Sequence, residues 1–326
     1  MKTEEKEVTH RLIKHAQKGE TFCGIYYLEN LMVKIAKNGN KYSDLTVRDK
    51  SGSSFVRFWG EVTDAKKGDY IDIAANVEEY QGNTQIVARR VTKEETPDDL
   101  SNYIAIAETA DEDIKWFDSF RAEISNLGES SGDRTCEYVN NDLFHSGKFL
   151  EKFTSAPGSI SPYYGKKGGL LERVGKIAQI TKSMAQPYGL AETEKAILFT
   201  ASLLHRVGAV DAYDFIDCMP VETKQGILVG VDALTIIRIS RSVRKVLKNA
   251  SKNDITVDSD TILRLLHIFA LPSHDKPATK EALVFSEACE ADLKIVEAIN
   301  FIEQDENIGE DFTAYDPILR RRYYKG

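Results

Sequence analysis

Residues 39–59, GNKYSDLTVRDKSGSSFVRFW, decide the fold of the first part of the chain. Leu45 and Val47 alternate with Tyr42, Asp44, Thr46 and Arg48. Asp49-Lys50-Ser51-Gly52 then turns the chain, and Val56 and Phe58 alternate with Phe55, Arg57 and Trp59. Period-two alternation on both sides of a short turn predicts a hairpin with one face in a core and the other outside. Upstream, FCGIYYLENLMVKIA (22–36) is a long aromatic and β-branched run that enters the stretch through Lys37-Asn38-Gly39-Asn40-Lys41, where Asn-Gly is a strong hairpin signal. Downstream come YIDIAANVEEY (70–80), a Gly82-Asn83 turn and TQIVARRV (84–91). Five short strands at regular spacing predict a small closed barrel over residues 1–93.

Beyond an acidic stretch at 94–114, which reads as a linker, the period becomes helical. From residue 115 to 326 the segments IKWFDSFRAEISNL, LLERVGKIAQITKSMAQ, AETEKAILFTASLLHRVG and DALTIIRISRSVRKVLKNASK place apolar residues at three- and four-residue steps. Gly189, Gly208 and Pro272 punctuate them. The fold class expected is therefore multidomain α+β, a barrel followed by an all-α domain.

The 326 residues carry a net charge of −8, which argues weakly against nucleic acid, but the charge is unevenly placed. Residues 1–93 hold 16 Lys and Arg against 13 Asp and Glu; residues 94–150 hold 4 against 14. Residues 151–326 hold 23 against 24, so the acidity sits in the middle and both flanks are free to carry basic patches. The four cysteines, Cys23, Cys136, Cys218 and Cys289, have no CxxC spacing, so neither a disulfide framework nor a zinc ribbon is indicated. A charged N-terminus unlike a secretory signal and the lack of any long apolar run point to the cytoplasm, with no membrane partner.

Two groups of motifs resemble a known arrangement. Residues 39–59 with the strands after them resemble an OB-fold of the anticodon-binding and replication-protein type. FLEKFTSAPGSISPYYGKKGGLLERVGKIA (149–178), AILFTASLLHRVGAV (196–210) and KPATKEALVFSEACEADLKI (276–295) resemble the HD domain of the YhaM-like 3′–5′ exoribonucleases, in which an OB-fold precedes an HD domain. The ending DFTAYDPILRRRYYKG also resembles that family's tail, and the resemblance covers nearly the whole chain. It implies a bacterial or phage-infected cell as the setting.

The same resemblance implies a divalent-metal site, and this sequence departs from it. Arg173 stands at the first His position, His205-Arg206 replaces the His-Asp doublet, Val231 stands at a further His position, and Cys289 aligns with the late Asp. Of the expected ligands only His205 remains. Hydrolytic metal sites need anionic or imidazole ligands with one position open for water. A guanidinium does not deprotonate, and at ~4 Å and an effective dielectric near 20 each like-charge contact costs on the order of 4 kcal/mol per unit charge product. The expectation is a degenerate HD site, with no catalytic residue, no metal and no cofactor, and Arg173, His205 and Arg206 forming a possible anion site. The rival is a site rebuilt from Asp211, Asp214, Asp217, His267, His274 or Asp275.

OB-folds hold single strands across strands two and three, where aromatic rings stack on bases and Lys and Arg follow the backbone. The candidate nucleic-acid-binding residues there are Lys37, Lys41, Tyr42, Arg48, Phe55, Arg57, Trp59 and Tyr80. A second basic face is predicted on 232–252, where Arg238, Arg241, Lys245 and Lys248 recur at helical spacing without an acidic residue between Asp232 and Asp254. The reading is a non-catalytic protein binding single-stranded DNA or RNA. It acts as an accessory factor that recruits a polymerase or nuclease through the acidic segment or helical domain, with homo-oligomerisation open. The alternatives are a metal-dependent 3′–5′ exonuclease and a structural protein-interaction module.

Overall fold

The computed structural model describes residues 11–325 apart from 37, 81–82, 101, 105–106, 108–109, 162, 217, 254, 271–275, 304, 306–310 and 318. Two compact units divide the chain, Met1–Ala105 with Gln304–Gly326, and Ile106–Glu303.

The first unit is built on five strands, β1 (Thr21–Ile35), β2 (Lys41–Asp49), β3 (Gly52–Phe58), β4 (Tyr70–Tyr80) and β5 (Asn83–Glu94). They close into a barrel in the order β1-β2-β3-β5-β4, with β1 and β4 also paired. All ladders are antiparallel except β3 with β5, which is parallel. This closed five-stranded barrel is the one expected from the alternation, with the OB topology that the resemblance implies. Leu28, Leu45, Val47, Val56, Ile71 and Ile73 are fully buried in it, and a short helical turn at Ile13–His15 adds Ile13 to the same core. The Ile13 amide is held there by the Asp49 carboxylate at 2.6 Å.

The second unit is helical: α1 (Ala110–Ser131), α2 (Thr135–Phe144), α3 (Gly147–Ser155), α4 (Gly169–Ala185), α5 (Glu192–Leu204), α6 (Ala209–Ala212), α7 (Lys224–Val229), α8 (Val231–Asn253), α9 (Ser259–Ala270) and α10 (Lys280–Glu303). Helix α5 is apolar on nearly every side, with Ala196 to Leu204 all buried, and it is the centre of the core. A helix apolar all round must be enclosed by others. The pair Gly168-Gly169 sets the start of α4. Gly168 takes a φ of +83°, and a Cβ on Gly169 would stand 2.1 Å from the Tyr164 carbonyl oxygen. Gly208 is equally confined, since a Cβ there would meet the Thr235 amide at 2.4 Å, and this lets the start of α8 approach the end of α5.

Three expectations change. The region from 115 on is not wholly helical, because β6 (Tyr213–Ile216) and β7 (Met219–Glu222) form a short antiparallel hairpin. Its aromatic and β-branched residues lie in a span too short for a stable helix. Part of the acidic stretch read as linker, from Ala110 on, belongs to α1. The last residues, Gln304–Gly326, group with the barrel unit instead of the helices, and bridges Phe312–Tyr324 and Asp316–Arg321 fold them back on themselves.

Candidate functional site

On the barrel, strand register puts Asp44 opposite Arg57 and Thr46 opposite Phe55, so β2 and β3 present a shared outer face. The Arg57 guanidinium lies 5.3 Å from the Tyr42 ring centre, 5.5 Å from Phe55 and 5.7 Å from Trp59. Tyr42 and Trp59 contact each other at 5.4 Å. Trp59 is 63% exposed and Phe55 43%, so the rings open outward. The sequence missed the group that fixes this cluster. Asp44 is buried, accepts a hydrogen bond from Arg57 Nε at 2.9 Å, and pairs with Lys34 Nζ at 2.8 Å. Burial alone would push the Asp44 carboxyl up, but the hydrogen bonds from Arg57 and Lys34 outweigh it and hold it below the usual carboxylate range. Two cations thus share one anion, and the face keeps one surplus positive charge beneath three rings.

Other sequence-predicted barrel residues have different settings. Arg48 is expected on the open face, but it is 6% exposed and pairs with Glu29, which sits at the register shift of β1 beside it. Lys41 is on the surface and donates to both Glu61 oxygens at 2.9 Å. Tyr80 closes β4 opposite Asn83, its side chain lying outside the described residues, as does Lys37.

In the helical unit the structure brings Arg173, His205, Arg206 and Cys289 together. Arg173 projects from α4, His205 and Arg206 follow α5, and Cys289 lies on α10. Arg206 has a φ of 54°, the left-handed region that a non-glycine residue seldom adopts. Cys289 Sγ is 3.9 Å from His205 Nδ1, while His205 Nε2 is buried with no hydrogen-bond partner. Burial, then Arg173, then Arg206 drive the imidazole pKa well below its ordinary value, so the ring is neutral. Burial pushes the Cys289 thiol up to about 12.

His205 is not alone of the acidic and imidazole set at this centre, contrary to the expectation. Asp292, three residues beyond Cys289 and therefore on the same face of α10, is buried and reaches this centre. It accepts a hydrogen bond from Tyr164 Oη at 2.6 Å, and its other oxygen lies 3.7 Å from Arg173 Nε. The signal was in the motif, since FSEACEADLK offers both Cys289 and Asp292. Arg206 is held by Tyr213 Oη at 2.9 Å and by Asp232 at 3.6 Å. Glu172 binds Lys166 and Lys176, and Asp211 binds Arg238.

A divalent cation does not fit these residues. Two guanidiniums flank the one imidazole, and among the described residues no group of three or more His, Cys, Asp or Glu is placed to hold a metal ion. Among the described residues, those of the alternative site, Asp211, Asp214 and His267, do not form a metal-holding group. Asp211 is engaged by Arg238, and His267 Nε2 accepts from the Ala278 amide at 3.0 Å. Asp214 caps its own strand through the Phe215 amide, and Asp217, His274 and Asp275 lie outside the described residues.

On α8, Arg241 and Lys248 are exposed, whereas Arg238 is paired with Asp211 and Lys245 stands 3.7 Å from Asp142. The helix itself lacks acidic residues there, as the sequence indicates, but neighbouring elements supply them. Among the described residues no helix is long and apolar enough to cross a membrane.

The closed barrel followed by a helical unit is the order that the resemblance implies, and curated relatives are similar to the chain over most of its length. The chain is 23% identical over 273 residues to the 3′-5′ exoribonuclease YhaM of Listeria monocytogenes, covering 79% of this chain and 78% of that one. It is 22% identical over 266 residues to the protein of the same name from Listeria welshimeri, and 23% over 269 residues to that from Listeria innocua. No family model matches. Among solved structures, the second OB-fold domain of replication protein A from Methanococcus maripaludis is 16% identical, covering 28% of this chain and 99% of that one at a TM-score of 0.23. A replication protein A heterotrimer bound to single-stranded DNA is 15% identical at a TM-score of 0.20, covering 26% and 66%. Likeness at these scores adds nothing to the strand order already described. The expectation that this chain is not an enzyme is overturned by the relatives, each of which is named as an exoribonuclease.

Proposed function

We propose that the chain handles single-stranded nucleic acid, RNA foremost, and that the outer face of β2 and β3 is where the strand lies. The observation that carries this reading is the Arg57 guanidinium set among Tyr42, Phe55 and Trp59, with two of the rings open to solvent. Bases stack on such rings with little regard to sequence, and the cation stays beside the phosphates. The choice of RNA is supported by the relatives' name.

That name also favours a second reading, 3′–5′ exonucleolysis. Arg173, His205 and Arg206 provide no place for a hydrolytic metal, so a nuclease here draws its chemistry from other residues. One experiment addresses both readings. An oligoribonucleotide and the matching oligodeoxyribonucleotide, 3′-labelled, are titrated by anisotropy and then incubated with Mg²⁺ or Mn²⁺. Binding of the RNA, weakened by Trp59→Ala by about 1–3 kcal/mol, is expected for the first reading. Loss of label from the 3′ end supports the second, and an intact strand with both ions removes it. Equal affinity of wild type and Trp59→Ala would place the strand elsewhere.

A further inference from the structure

The helical unit contains a feature that the barrel reading does not use. A cavity of about 580 Å³ opens between α2, α3, α7 and α8, and Arg238, Arg241 and Lys245 line its α8 wall. A second cavity of about 450 Å³ follows α8 toward its end, and the two share Asp142 and His145. Together they make a trough beside α8 from Leu234 to Asn253, a rise of about 28 Å at 1.5 Å per residue. Its two halves differ in chemistry. The first half carries three cations against the two carboxylates Asp142 and Asp211: the Arg238 guanidinium stands over the Phe149 ring at 4.5 Å, with its Nε buried and unpartnered, and Arg241 is exposed. The second half sets the amides of Asn141, Asn249 and Asn253 and the Tyr138 ring among Val246, Ala250, Ile255 and Val257, with Asp142 where the halves meet.

We propose that this trough is a second track for single-stranded RNA, with Arg241 and Lys245 on the phosphates and the amide-and-tyrosine half against the bases. The proposal rests on the single-strand reading of the barrel and deepens it. Cations alone would suit an acidic peptide equally well. What favours a strand is the continuation into side-chain amides and an aromatic ring, which match base edges and base faces. Two carboxylates temper the track. Asp211 holds Arg238, and Asp142 sits 3.7 Å from Lys245 Nζ, so an arriving phosphate competes with Asp142 for that ammonium.

The test uses the full chain and a fluorescent oligoribonucleotide. Arg241→Glu with Lys245→Glu is expected to weaken binding roughly tenfold at physiological salt and to reduce the salt slope by about 0.7 for each cation lost. Both residues are exposed, and thermal unfolding checks that the fold persists. Asp142→Asn is expected to tighten binding several-fold, a gain that misfolding does not produce. If both variants bind as wild type while Trp59→Ala weakens binding, the trough proposal is overturned and the barrel reading stands. If the wild-type chain binds no oligoribonucleotide, both fall.

Discussion

Arg57 on the barrel and Arg173 in the helical unit have the same kinds of neighbour and opposite settings. Each faces a buried aspartate and lies over a tyrosine ring, Tyr42 in one case and Tyr164 at 5.2 Å in the other. On the barrel the pair is closed, with Arg57 Nε hydrogen-bonded to Asp44 at 2.9 Å while the guanidinium remains a quarter exposed. In the helices the pair is open. Arg173 Nε and Asp292 Oδ2 are 3.7 Å apart and neither has a hydrogen-bond partner, although both are buried. Closure leaves the exposed arginine oriented for a ligand. The buried one is held by charge and enclosure, and it is further strained by Arg206, which after burial is the main force pushing its pKa down.

The comparison breaks most sharply at Asp292. Removing it leaves Arg173 as an uncompensated buried cation and strands the Tyr164 hydroxyl, so Asp292→Ala should cost on the order of 3–5 kcal/mol. Denaturant unfolding of the full chain, followed by a probe of the helical unit, measures this. A cost below about 1 kcal/mol would mean that water already reaches the pair.

How much of this was legible in the sequence follows from the same two sites. The barrel was readable because period-two alternation needs only residue types, and Tyr42, Phe55, Arg57 and Trp59 fall on one face by parity alone. Asp44 shares that parity yet was passed over, since the sequence does not reveal that Lys34 crosses from β1 to join it. Arg48 also shares the parity but is buried, because parity assigns a face and says nothing of what covers it. In the helical unit, the resemblance to the HD family grouped Arg173, His205, Arg206 and Cys289. It aligned Cys289 with the late Asp and passed over Asp292, one turn further along α10; packing brings both to this centre. The ion pairs from Asp142 and Asp211 to α8 were likewise hidden, because they come from other elements.

A smaller effect sharpens the contrast through pH. His205 sits between the two helical-unit arginines and stays neutral, its folded pKa lying well below the ordinary 6.5. Below about pH 6.5 the unfolded chain takes up a proton that the folded chain refuses, so stability must fall as the pH drops. The slope approaches about 1.4 kcal/mol per pH unit until the folded pKa is reached. His205→Gln should flatten that slope. If the slope is unchanged in the variant, other groups cause it and the imidazole is not held neutral by its neighbours.

The smallest expected effect tests the closed pair. Asp44 neutralises one of the two cations on the barrel face, so Asp44→Asn leaves Lys34 and Arg57 both unmatched beneath the rings. An asparagine oxygen still accepts from Arg57 Nε, so the guanidinium keeps its orientation while the face gains one positive charge. Strand affinity should rise by a few-fold at low salt, and the salt slope should steepen by about 0.7, the increment for one further phosphate contact on a single strand. At high salt the gain should vanish, because a screened charge contributes little beyond a Debye length of about 3 Å near 1 M. The opposite result, weaker binding at every salt concentration, would show that Asp44 matters as a clamp more than as a charge. The rings would then have lost their order when the charged hydrogen bond was weakened, and the closed geometry of Arg57 would be what the strand recognises.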